Sequence, residues 1–241
     1  KTGESKMSNR VSFFRFNCSQ KAFESLKQLV QKSSFSEKQD YGIMKFRNLD
    51  TYFSAVLLVK IPVFVTLADI KNMTKVKKEE TFTYDFIPFG VDYNYQLLEV
   101  YSTRSKKRFV DDFFTEIGGS GFGITELEFT MVDLVSILKK KQPEFYVNSI
   151  GFKDFILVEG ISGRFNAKIK NNSVGKKLLN QFTESIASVD VNINMEKDQL
   201  RFKVTPPLNI QFWVDGGLES EAQMYLKRLF FKKVHTAISS I

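Results

Sequence analysis

The chain has a single cysteine, Cys18, and a single histidine, His235. One thiol forms no intrachain disulfide, which fits a reducing compartment. One imidazole cannot build a histidine-rich zinc site or a paired-histidine metalloprotease motif. Cys18 precedes a helix start, a place where a thiol pKa can fall. Its one possible imidazole partner stands at the far end of the chain, so a small half-buried Cys18 and a surface or capping His235 are expected. Long apolar runs are missing as well. The most apolar stretch, from Tyr52 to Ala68, is interrupted by Lys60 and Pro62 and is rich in valine. It reads as two buried strands, Phe53–Val59 and Val63–Leu67, and not as a membrane span. Residues 1–10 lack the apolar core of a signal peptide and read as a disordered or tag-like N-terminus. An intracellular location is expected, either cytoplasmic or nuclear/nucleoid.

Catalytic patterns are equally scarce. The run Gly118-Gly119-Ser120-Gly121-Phe122-Gly123 follows a helix and lacks the Gly-Lys-Ser/Thr ending with which a phosphate loop holds phosphate and magnesium. It reads as a helix stop and a turn. A metal-dependent nuclease needs convergent carboxylates, usually with a lysine nearby. Asp92 and Glu99 lie on adjacent strand-like segments, but Tyr101 stands where a Glu-x-Lys pattern would place the lysine. For Asp154 and Glu159 that place is held by Ile161. Asp111 and Asp112 face outward from a helix. The expectation is a non-enzyme without a cofactor.

What the chain does have is phenylalanine and positive charge. It carries 25 Phe in 241 residues, and 35 Lys and Arg against 27 Asp and Glu, a net charge of +8 with a pI near 9.3. The phenylalanines imply a substantial core. The basic balance favours a polyanionic partner.

Apolar spacing predicts α+β architecture. Val11–Asn17 alternates as a strand, and Ser19 caps a helix with Phe23, Leu26, Leu29 and Val30 on one face. Strands follow at Tyr41–Arg47, Thr81–Pro88 and Gln96–Tyr101, with a charged loop or strand edge over Lys71–Glu80. Ser105 is read as the cap of a helix whose stripe is Phe109, Val110, Phe113, Phe114 and Ile117, stopped by Gly118 and Gly119. Ile124–Phe129 reads as a strand. Thr130 and Asp133 form a capping box for a helix ending at Lys139–Lys141. Beyond Pro143 come strands at Glu144–Val147, Phe155–Glu159 and Gly163–Lys170 and a helix capped by Ser173. A hairpin of Val189–Met195 and Leu200–Val204, a strand at Asn209–Val214 and a last helix complete the chain, with Pro206–Pro207 and Gly216–Gly217 marking turns. The expected fold is antiparallel sheet packed by helices, in two related strand-rich halves, 11–142 and 143–241, or one continuous domain.

The halves are paired through two helices. Lys107-Arg108-Phe109-Val110-Asp111-Asp112-Phe113 resembles Lys176-Lys177-Leu178-Leu179-Asn180-Gln181-Phe182, each after a strand and a serine. Both break the dipole rule. A helix N-terminus bears about half a positive charge, so cations in its first turn are unfavourable by about 0.3–1 kcal/mol. Yet Arg104, Lys106, Lys107 and Arg108 crowd one start, and Lys170, Lys176 and Lys177 crowd the other. A helix start with added cations is an anion site. These seven residues are the expected phosphate contacts of a non-catalytic nucleic-acid-binding protein, with Tyr93, Tyr95 and Phe122 as candidate stacking aromatics. The alternatives are a structural or adaptor subunit that uses an exposed apolar patch against a protein partner or another copy, and a divergent nuclease built on Asp92 and Glu99. An antiparallel sheet with its helices on one face would leave the other face open.

Overall fold

The computed structural model describes residues 8–68, 76–158, 161–195, 198–214 and 217–234. In chain order its elements are β1 (Ser8–Cys18), α1 (Gln20–Lys32), β2 (Tyr41–Leu49), β3 (Tyr52–Ala68), β4 (Val76–Asp92), β5 (Leu97–Val100), α2 (Lys107–Glu116), β6 (Phe122–Thr125), α3 (Met131–Lys141), β7 (Tyr146–Val158), β8 (Ile161–Lys168), α4 (Asn172–Gln181), β9 (Ile186–Asn194), β10 (Gln199–Thr205), β11 (Asn209–Trp213) and α5 (Glu219–Phe230). The antiparallel strand pairing and five helices among the described residues make this an α+β fold, as expected. No described helix is long and apolar enough to cross a membrane. His235, Glu159, Gly216, most of Lys1–Arg10 and residues 71–75 of the charged segment lie outside the described residues.

The chain divides into two compact units. One comprises Lys1–Arg15 with Thr125–Ile241, the other Phe16–Ile124. Gln142 and Pro143, where the sequence places a boundary, fall between α3 and β7 inside the first.

In the first unit the strand order is β1-β11-β10-β9-β7-β8, every neighbour antiparallel. Each strand alternates with period two, so one face collects the apolar side chains. Leu200, Phe202 and Val204 of β10, Ile210 and Phe212 of β11, and Val189, Val191 and Ile193 of β9 are all buried. Helices cover that face. Phe230 of α5 meets Phe202 edge-on at 6.0 Å between ring centroids. The α3 capping box forms as expected, with Thr130 and Asp133 reciprocally bonded. At its other end Lys141 donates to the carbonyls of Arg228 and Leu229 at 3.1 and 2.6 Å. The basic end of α3 thus satisfies acceptors that α5 leaves open at its C-terminus.

The second unit runs β2-β3-β4-β5. Its core is aromatic. Phe53 packs on Phe23, Phe46 and Phe89, and Phe114 packs on Phe16, Phe89, Phe113 and Phe122. Among the described residues, ten of the twelve largest fully buried side chains are Phe, so phenylalanine dominates the core. Ser19 caps α1 as expected, accepting from the Ala22 N–H at 3.2 Å. Gly118, at φ +76, takes the left-handed position that ends α2.

Five local expectations are corrected. The apolar stretch is one strand, β3, and not two: β2 stops pairing at Val59, so β3 has an open side at Pro62, where a missing N–H is tolerated. β7 likewise joins Glu144–Val147 and Phe155–Glu159 into one strand starting at Tyr146. The strand expected at Ile124–Phe129 is β6, Phe122–Thr125. Ser105 caps nothing: Arg104–Lys106 wind into a 3-10 turn ahead of α2, and the Ser105 hydroxyl pairs with that of Thr103 at 3.1 Å. Ser173 is displaced as cap by Asn171, whose side-chain oxygen accepts from the Ser173 N–H at 3.0 Å and its hydroxyl at 2.7 Å. The helix pairing behind the related halves also meets a topological difference. α2 is followed by one short strand, β6, before α3, whereas α4 sits between β8 and β9, with three strands still to come.

Phe114 is fully buried among four other aromatic rings. Phe114→Ala is expected to destabilise the second unit by about 3–5 kcal/mol, read as a lower midpoint in denaturant unfolding.

Candidate nucleic-acid interface

The strands that bury apolar residues on one side of the first unit carry polar residues on the other. Residues paired across an antiparallel ladder share a face, so the register assembles rows. One row runs Ser8–Trp213–Arg201–Asn192–Tyr146. The next runs Arg10–Gln211–Lys203–Asp190–Ser149–Lys168. A third sets Ser12 against Asn209 and Thr205, and Ser188 against Gly151 and Asn166. None of these residues is aliphatic. At Gly151 a Cβ would stand 2.6 Å from Ser188 Oγ and 2.7 Å from Asn166 Oδ1, so a larger residue there would displace the ends of those two side chains.

A hydrogen-bond network holds the rows. Arg201 forks onto Asp190: its Nε donates to Oδ1 at 3.1 Å and an Nη donates to Oδ2 at 2.6 Å. Hydrogen bonding to that carboxylate raises the Arg201 pKa. Asn148, the extra residue where the β7 register shifts, donates to Asp190 Oδ1 at 3.0 Å and Asn192 Oδ1 at 2.8 Å. Ser12 donates to Asn209 at 2.7 Å. The Arg201 guanidinium lies 4.8 Å from the centroid of the Trp213 ring. Tyr146, at the other end of that row, is 52% exposed.

The electrostatics are one-sided. Arg10, Arg201, Lys203 and Lys168 face out along the rows, and the one carboxylate there, Asp190, is 4% exposed beneath Arg201. Geometrically the face can bind phosphates with its cations, base edges with its amides and planar groups with its aromatic rings.

The seven helix-start cations are placed differently. Lys106 pairs with Asp85, and Lys107 with Asp111 one turn along α2. Arg108 is exposed, with its guanidinium 4.7 Å from the Phe109 ring centroid. Burial lowers the pKa of Arg104. Near α4, Lys176 donates to the Pro143 carbonyl at 2.8 Å and lies over Phe145, while Lys170 and Lys177 are exposed. The α2 set belongs to one unit and the α4 set to the other. Carboxylates within the chain therefore relieve two of the cations at the α2 start.

The other candidates are in structural use. Asp92 accepts from the Tyr95 N–H at 3.2 Å, and Glu99 is buried, accepting from the Tyr101 hydroxyl. Among the described residues no three His, Cys, Asp or Glu side chains gather closely enough to hold a metal ion. Tyr93 packs on Phe23, and Phe122 on Phe16 and Phe114.

Arg10, Arg201, Lys203, Lys168, Trp213 and Tyr146 were missed as site residues in the sequence. The signal lay in the alternation of Gln199-Leu200-Arg201-Phe202-Lys203-Val204-Thr205 with Asn209-Ile210-Gln211-Phe212-Trp213, whose polar positions contain no Asp or Glu. No protein-family model matches the chain, and no curated protein matches it.

Cys18 is half-buried beside Gln96, which accepts from its backbone N–H at 2.9 Å. Burial pushes the thiol up from 9.0 to about 11, against an opposing Gln96 hydrogen bond, so the helix start does not activate it. At pH 8 the thiolate fraction falls roughly a hundredfold. Alkylation of Cys18 is expected to be slower by about that factor in the folded than in the unfolded protein, with a rate that climbs up to about pH 11. Equal rates in a stopped iodoacetamide assay would contradict this.

Proposed function

We propose that this protein is a non-catalytic nucleic-acid-binding protein that holds phosphates on the polar sheet face of its first unit. The observation that carries the reading is the surplus of cations on that face: Arg10, Arg201, Lys203 and Lys168 against Asp190, which Arg201 already neutralises. Arg108 in the second unit, and Lys170 and Lys177 in the first, are exposed cations at helix starts and serve in this reading as secondary phosphate contacts. Lys106, Lys107 and Lys176 already have partners within the chain. The same reading keeps the sequence likeness of α2 and α4 as the mark of two related strand-rich halves, 11–142 and 143–241.

The test is fluorescence anisotropy with labelled single- and double-stranded DNA and RNA across a salt series. Binding is expected to weaken steeply with salt. In Arg10→Gln/Lys203→Gln/Lys168→Gln the slope of log K against log salt should shrink by roughly 1 for each lost phosphate contact. Arg108→Gln/Lys170→Gln/Lys177→Gln should retain most of the affinity. The reverse ranking, with both variants folded by circular dichroism, would return the site to the helix starts.

A second reading, an adaptor or self-associating subunit, has its own observation. Beyond the end of β2, strands β3 and β4 continue as a pair. On one face this pair sets Leu58, Lys60, Pro62 and Phe64 against Phe86, Tyr84, Phe82 and Glu80. Phe64 is 68% exposed and Phe86 57%, an apolar display beyond what scattered surface residues provide. Under this reading sedimentation velocity shows concentration-dependent association that Phe64→Ser/Phe86→Ser abolishes. A monomer at all concentrations would remove self-association.

A further inference from the structure

The polar face also carries information about the form of nucleic acid it fits. We propose that its ligand is single-stranded, with Trp213 and Tyr146 each stacking on a separate base; the inference rests on the nucleic-acid reading above.

The row Trp213–Arg201–Asn192–Tyr146 crosses β11, β10, β9 and β7. Neighbouring strands lie about 4.8 Å apart, so Trp213 and Tyr146, three strands apart, stand roughly 14 Å from each other along the row. They cannot clasp one planar ring between them, and each takes its own. In a duplex the π-faces of bases are covered by their neighbours. Only the base edges and the backbone are presented, and groove reading calls for a helix or ribbon that enters the groove. Aromatic rings set on a sheet face meet bases that are already unstacked.

Arg201 strengthens the argument. Its guanidinium is planar, lies over the indole and is fixed from below by both oxygens of Asp190. A guanidinium held by a carboxylate beside an indole offers a base a further planar surface. The Arg201 side chain stays 52% exposed above a carboxylate side chain that is 5% exposed. Between the two rings Asn192 presents an amide, and the adjacent row brings Gln211 and Lys203 alongside. The arrangement is thus aromatic at both ends, amide in the middle and cationic along the flank. That order matches a strand whose bases face the sheet and whose phosphates run beside Arg10, Lys203 and Lys168.

Trp213 is the only tryptophan in the chain, so its fluorescence reports on this face alone. The experiment titrates the full chain with unlabelled oligo-dT, oligo-U and a hairpin duplex of equal charge, reading tryptophan emission and competition against a labelled strand. The single strands are expected to quench the emission and to bind more tightly than the duplex. Tyr146→Ala and Trp213→Ala should each weaken single-strand binding by roughly 5- to 150-fold. Duplex affinity should stay unchanged, and Tyr146→Phe and Trp213→Phe should restore most of the loss. The dT and U arms separate DNA from RNA as the source. Equal binding of strand and duplex, with no effect of Tyr146→Ala, would overturn this inference while leaving the phosphate-binding reading in place. Absence of binding to all three ligands at low salt would overturn that reading too.

Discussion

The register of β1, β11, β10, β9 and β7 is the constraint on which the first unit depends. A shift of one residue in any of these strands would move its buried set to the opposite face. For β9 it would bring Asp190 to the side where Val189 and Val191 sit, and an unpaired carboxylate in an apolar core costs far more than a lost packing contact. In the observed register Asp190 meets Arg201 and Asn148, so the same pairing that closes the core also satisfies its one acidic neighbour. Phe202 and Phe212 then point at the helices, while Arg201, Lys203, Gln211 and Trp213 point away from them. Fold and candidate site follow from the same pairing.

Much of this was legible locally. Alternation marked nearly every strand, and Thr130 with Asp133 marked the start of α3, because both signals act within a few residues. The misreadings have two sources: some needed partners distant in sequence, and the two helix caps were claimed by nearer neighbours. Pro62 looks like a strand breaker until β2 is seen to stop at Val59. Ser105 and Ser173 look like caps until a 3-10 turn and Asn171 claim those positions. The crowd of cations at the start of α2 looks unrelieved because Asp85, which answers Lys106, lies on β4, twenty-one residues earlier. Local propensity does not report such pairings.

The candidate face was illegible for a related reason. Its rows run across strands, drawing on residues 10, 211, 203, 190, 149 and 168, and no window of sequence contains such a row. Each strand on its own shows only a polar half, which any solvated sheet would also show. The distinguishing property, a shortage of carboxylates combined with two aromatic rings, becomes visible once the strands are laid side by side. The expectation that an antiparallel sheet with helices on one side leaves its other face open named no residue.

The net charge of +8 can be followed through the structure to the same place. Several acidic residues serve helices: Asp133 in the first turn of α3, Glu219 and Glu221 in that of α5, and Asp111 beside Lys107 on α2. Such placement answers helix dipoles and nearby lysines, and it draws negative charge toward the helices. The polar sheet face of the first unit has no helix start to complement, and its only carboxylate along the rows is covered by an arginine. Positive charge left over on a face, with amides and rings set between the cations, does nothing for stability, since like charges on a surface repel. A polyanion would remove that repulsion, and the amides and rings among the cations give it groups to bind besides the charge.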